Sequence, residues 1–216
     1  VGGNSWDDTV TDCCNTGIVT GKDYVGGVVG ENNGTVTDCC NTSSVTGKDY
    51  VGGVVGYNAY GTSAVTDCYN TGIVIGERFV GGVIGYLFVG TASNCYNEGS
   101  ITGKDRVGGV IGGNEDPVTA CYNTGIVSGV SRVGGVIGDN IDTVTACYNT
   151  GSVTGGSYVG GVAGYNWSST FTNCYNTGSV NGERDVGGVV GYNKGNVTVC
   201  YNTGSVTSKE DGYSYG

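Results

Sequence analysis

The chain has 216 residues, among them 45 Gly, ten Cys, one Pro and no His or Met, and it carries a net charge of −10. With 19 carboxylates against nine cations, nothing is available to neutralise nucleic-acid phosphates, and anionic lipid is equally disfavoured. No run of about 18 apolar residues exists, so no membrane insertion is expected, and a chain without His cannot build a His-dependent catalytic triad.

Val, Ile and Tyr are plentiful and favour strands, whereas Leu appears once. Aligning the chain on V-G-G gives repeat units starting at Val1, Val25, Val51, Val80, Val107, Val133, Val159 and Val186. The seven complete units are 24, 26, 29, 27, 26, 26 and 27 residues long. A period of that size is the mark of a solenoid or array. Within a unit the first β-like run is V-G-G-V-V/I-G, as at 51–56. The second is V-T-x-C-Y-N, as at 144–149, and the third is S/I-V-T-G, as at 152–155. Turn residues separate the runs, and no segment sustains a 3.6-residue period. Regularly spaced Leu, as in leucine-rich repeats, is missing, and a propeller blade needs some 40 residues or more. The expectation is an all-β parallel β-helix, a β-solenoid of about eight turns of roughly 26 residues with three short strands per turn, forming one domain over 1–216. Equivalent strands stack about 4.8 Å apart, making a rod of roughly 40 Å. The Val column (Val28, Val54, Val83, Val110, Val136, Val162, Val189) is expected inside, and the last Gly of V-T-G is expected to take positive φ at a corner.

"VGGVVGYN" followed by "VTDCYNTG" resembles the GLUG motif, with G-V-V-G at 53–56 and G-V-I-G at 82–85, 109–112 and 135–138. Val stands where the motif has Leu. The resemblance runs along nearly the whole chain. It implies a tandem-repeat scaffold of the kind found on bacterial surface proteins, including adhesin-like and some immunoglobulin-A-peptidase-like proteins. It implies an extracellular, cell-surface location and no reaction.

Several columns recur once per turn. Cys13, Cys39, Cys68, Cys95, Cys121, Cys147, Cys174 and Cys200 read as a buried thiol ladder rather than a metal rail, since zinc sites need clustered ligands and no C-x-x-C is present. Cys14 and Cys40 stand where later turns carry Tyr. In-register strands bring them within disulfide range, so a staple across the first two turns is expected in an oxidising exterior. Tyr69, Tyr96, Tyr122, Tyr148, Tyr175 and Tyr201 follow the Cys column. Strand alternation turns them outward as a stacked rail, either sheet-stabilising or a platform for glycans or a partner. The Asn after them (Asn15, Asn41, Asn70, Asn97, Asn123, Asn149, Asn176, Asn202) reads as an amide ladder. Asp12, Asp38 and Asp67 would stack like charges, which a Ca²⁺ ion or plain solvent screening would relieve. No other cofactor is expected.

Loops after Y-N carry Tyr60, Leu87, Phe88, Trp167 and Phe171. They offer a ligand or partner surface, or fold back on the rod. The best departure from the repeat that would suit an enzyme is Glu115–Asp116–Pro117 with Asp139, Asp142 and Arg132, although solvated loop acids explain it as well. At the ends, Trp6, Tyr213 and Tyr215 are candidates for a head-to-tail subunit junction, the competing partner being flanking repeats of a longer chain. The reading that results is a non-enzymatic extracellular structural protein, a surface spacer, adhesive scaffold or filament subunit. A carbohydrate-binding or polysaccharide-processing β-helix is the alternative.

Overall fold

The computed structural model describes residues 1–61 and 63–209 and the backbone of the strand Ser214–Tyr215. Five parallel sheets of eight strands each wrap the chain, and every pairing joins a strand to its equivalent one turn on. The described residues contain no helix. Register follows the repeat alignment, with Val51 opposite Val25 and Val80 and Asn70 opposite Asn41 and Asn97. The final strand continues the V-G-G sheet, Ser214 opposite Val186 and Tyr215 opposite Gly187.

Five strands per turn, rather than three, arise because two of the three runs break at a corner. In turn three, Asp49–Gly52 and Val55–Asn58 lie in different sheets, as do Ala64–Thr66 and Tyr69–Asn70, with Val74–Ile75 in the fifth. A left-handed residue precedes each Cys of the thiol column: Asp12, Asp38, Asp67, Asn94, Ala120, Ala146, Asn173 and Val199 have φ of 52 to 55°. A second such column precedes the V-G-G valine: Tyr24, Tyr50, Phe79, Arg106, Arg132, Tyr158 and Asp185, φ 52 to 58°. The V-T-G glycines do not have the expected positive φ, which among the described glycines belongs to Gly61 and Gly90. They are small for a different reason. A Cβ on Gly47 would lie 2.8 Å from Cγ2 of both Val25 and Val51, so the glycine lets the corner close onto two stacked valines.

The interior holds two dry columns. The larger joins the Val28 column, the Val and Ile behind it and the thiols. The smaller packs Val51, Val80 and Val107 and their equivalents against Val74, Ile101 and Val127 and theirs. Between them runs the Asn ladder. Each Nδ2 donates to the next turn's Oδ1, 2.7 Å from Asn97 to Asn123 and 2.7 Å from Asn123 to Asn149. It also donates to the carbonyl two residues on, 3.0 Å from Asn123 to Gly125. The hydrogen bonds offset the cost of taking these amides out of water. A second Asn ladder, unread in the sequence, passes through Asn4, Asn32 and Asn58 and again through Asn114, Asn140, Asn166 and Asn193. Leu87, fully buried, replaces the amide in turn four.

Candidate ligand-binding notch on the aromatic face

The thiol column is buried from Cys39 to Cys174, with Cys13 exposed and Cys200 half-buried. Each Sγ lies near the carbonyl two residues back, 3.2 Å for Cys68 to Thr66, and burial pushes the Cys39 thiol up. From Cys39 to Cys174 these are interior packing groups. Cys14 and Cys40 are disulfide-bonded, with Cα atoms 4.5 Å apart. Asp12, Asp38 and Asp67 are exposed and occupy the left-handed corner, which Asp and Asn tolerate better than most residues. Among the described residues no three Asp, Glu or Cys side chains converge as a cation cage would require. Backbone conformation alone gives a reason for Asp at these corners.

The Tyr rail is continuous. Rings from Tyr69 to Tyr201 stack with centroids 4.8 to 5.1 Å apart and planes within 6°. It is uniform from turn to turn. Of the loop residues, Leu87 and Phe171 are core. Phe88 stacks on Tyr57 and Tyr86, and Tyr60 meets Phe88 edge-on. Trp167 remains 41% exposed. Trp6 is exposed, the side chain of Tyr215 is outside what the structure describes, and Tyr213 lies outside the described residues.

A different face departs from the repeat. Two columns run side by side there. One is the left-handed column Tyr24, Tyr50, Phe79, Arg106, Arg132, Tyr158 and Asp185. The other, set by strand register, is Glu31, Tyr57, Tyr86, Gly113, Asp139, Tyr165 and Tyr192. In turns two to four their rings form one cluster, Tyr50–Phe79 at 4.9 Å and Phe79–Tyr86 at 4.7 Å. In turns seven and eight they form another, Tyr165–Tyr192 at 4.9 Å and Tyr165–Trp167 at 4.8 Å. In turns five and six both columns lose their rings together: Arg106 and Arg132 in one, Gly113 and Asp139 in the other. A Cβ on Gly113 would sit 2.7 Å from the Phe79 ring and 2.8 Å from the Tyr86 ring, so only glycine leaves those rings where they are.

The result is a cavity of about 220 Å³ lined by Phe79, Tyr86, Arg106, Glu115, Asp139 and Trp167, among others. Arg106 donates to Asp105 and, at 3.0 Å, to Asp139, while its guanidinium stands 4.6 Å over the Phe79 ring. Arg132 lies 3.4 Å from Asp105 and 3.8 Å from Asp139. The Tyr86 hydroxyl donates to Glu115. Asp139 is 8% exposed, and burial raises its pKa against the opposing pull of Arg132 and Arg106. Its Oδ1 and the Arg132 Nε are buried without a partner.

The acids singled out in the sequence therefore part company. Asp139 and Glu115 share the cavity. Asp116 instead accepts from the Gly90 N–H at 2.7 Å, and Asp142 engages Thr143. The Y-V-G-G and G-Y-N tyrosines were visible as repeats. They flank the V-G-G-V-V-G run at its two ends, as Tyr50 and Tyr57 do, so their meeting across a corner does not show in a three-strand turn.

Five in-register sheets, stacked amides and a sealed apolar interior define a tandem-repeat parallel β-solenoid. Within it the chain carries GLUG motifs: the family model for the GLUG motif matches residues 49–75 and 155–181. A solved structure from Bacteroides ovatus, described as "a putative immunoglobulin A1 protease", superposes with a TM-score of 0.66 at 19% sequence identity, covering 88% of this chain. The chain spans 65% of that structure's length, and the likeness is one of fold. No curated protein matches.

Proposed function

We propose that the chain is a non-enzymatic extracellular structural repeat protein, a stiff surface spacer or adhesive scaffold that can also stack end to end as a filament subunit. The observation that carries this reading is the continuous pairing of all five sheets over eight turns. Such a rod gains burial with every turn and needs no reacting centre to be useful. The Cys14–Cys40 disulfide suits an oxidising exterior, and the GLUG repeats fit the same setting. Electron microscopy of the purified chain over a concentration series tests the self-association. Fibres that lengthen with concentration support the filament form, with Trp6, Tyr213 and Tyr215 as candidate junction residues, whereas isolated rods of roughly 40 Å at every concentration leave the spacer reading and remove the filament. Labelling of intact cells with an antibody to the chain tests location. Signal seen only after lysis would overturn the surface assignment.

Carbohydrate binding is a second reading, and the notch of turns five and six favours it. Rings flank buried polar groups there, as in sites that hold a sugar by its apolar face and its hydroxyls. A polysaccharide-processing role is tested by release of reducing ends from soluble polysaccharides. Release that is lost in Asp139→Asn would replace the non-enzymatic reading.

A further inference from the structure

The notch departs from the repeat in a coordinated way. Turns five and six are the adjacent pair in which both face columns trade rings for charge or for glycine, and aromatic walls stand on both sides. Asp139, which lines the notch, has a buried carboxylate oxygen, Oδ1, without a partner. With the Arg132 Nε, also buried without a partner, it leaves one acceptor and one donor unsatisfied in this cluster. Beside it Arg106 gives two of its five N–H groups to Asp105 and Asp139, so further donors are left for an acceptor. Hydroxyl groups meet both needs, since each donates once and accepts twice.

Charge narrows the choice. Asp105, Glu115 and Asp139 oppose Arg106, Arg132 and Lys194, whose Nζ stands 4.9 Å over the Trp167 ring, three carboxylates against three cations, a local net of zero. A surround without net charge favours neither an anionic nor a cationic ligand. A cationic side chain is further disfavoured, because Arg106 already stands over Phe79 and like charges would be brought together. The size, about 220 Å³, is below the roughly 300–1,000 Å³ of clefts for drug-sized ligands and suits a single ring. We propose that the notch of turns five and six is a saccharide subsite for one neutral hexose unit, with Trp167 and Tyr86 against its apolar faces and Asp139 and Arg106 on its hydroxyls. This deepens the carbohydrate-binding reading and rests on it.

The test is saturation-transfer NMR on the full chain with methyl hexosides, a methyl glucuronide and N-acetyl-arginine amide as probes. The expected result is selective, millimolar-range binding of a neutral hexoside, on the order a ligand so small can reach. Asp139→Asn and Trp167→Ala should each weaken it about tenfold or more, and Gly113→Tyr, which restores the ring carried by other turns, should abolish it. Tyr148→Ala in the rail should leave it unchanged. Binding that survives all three notch variants and disappears in Tyr148→Ala overturns the notch while leaving carbohydrate binding standing. No binding of any saccharide sinks both, and preference for the glucuronide or the arginine derivative overturns the neutral-sugar assignment. If a notch variant fails to fold, hexoside-induced shifts of the wild-type Trp167 indole signal decide, with the Trp6 indole as internal control. Shifts confined to Trp167 support the subsite, and their absence removes it.

Discussion

At the residue scale, left-handed corners account for choices that look chemical in the sequence. Asp12, Asp38, Asp67, Asn94 and Asn173 occupy positions of φ 52 to 55°, where Asp and Asn are the better-tolerated side chains. Ala146 and Val199 sit at the same corner and are exposed. Ala146→Gly should therefore stabilise the fold by about 0.5–1 kcal/mol, since the strain of a non-glycine residue there exceeds the extra chain entropy of glycine. Urea unfolding would read this as a higher midpoint at constant slope. The amide ladder predicts the opposite sign. Asn123→Ala leaves the Asn97 and Gly125 donors and the Asn149 acceptor short of a partner in a buried setting, so a loss of roughly 3 kcal/mol is expected in the same measurement. Titration adds a third case. A hydrogen bond from Arg78 holds the Asp49 carboxyl below the usual carboxylate range. Its contribution is then complete above the unfolded value of about 3.9 and is lost as pH falls through the lower folded value. Asp139, raised by burial, has the opposite slope: it costs stability at neutral pH and ceases to as pH falls below its folded value. Asp49→Asn should flatten the acid limb of stability against pH, and Asp139→Asn should remove the opposing rise.

At the scale of the element, the double glycine of V-G-G-V marks a corner where three layers meet. A Cβ on Gly109 would run into the Gly135 carbonyl oxygen and the Asn123 amide. Backbone and a fixed ladder cannot move aside as a flexible side chain can, so Gly109→Ala should cost more than about 3 kcal/mol and be read as loss of the cooperative thermal transition at ordinary temperatures. The same corner explains why one V-G-G-V-V-G run becomes two strands in different sheets. It also sets the Tyr50 and Tyr57 columns side by side, so that a change of residue type in two consecutive turns opens a notch rather than a shallow dent. The register of each strand was legible from the repeat alignment, because a one-residue slip would turn every Val outward. The number of strands was not legible, because a left-handed Tyr, Arg or Ala carries no signal of its own, unlike a left-handed glycine.

At the scale of the whole molecule, every strand pairing joins a turn to the next one, so stability is built chiefly from nearest-neighbour terms. The Cys14–Cys40 disulfide closes a 26-residue separation. Chain entropy assigns such a loop about 3.5 kcal/mol, and in a solenoid that contribution stays local. Reduction should therefore speed hydrogen exchange at the amides of the first two turns and leave those around Asn123 protected. Equal loss of protection along the rod would refute nearest-neighbour behaviour.

The sequence by itself determined the solenoid, its period, the pairing register, the buried thiol and amide columns and the disulfide partners. These follow from stacking, which places residues one period apart directly over each other. Only the tertiary structure decided which columns become neighbours across a corner. That depends on φ at Tyr50, Arg106 or Ala146 rather than on any pattern along the chain. It is what brings Arg106, Gly113, Asp139 and Trp167, spread over 62 residues of sequence, into one cavity.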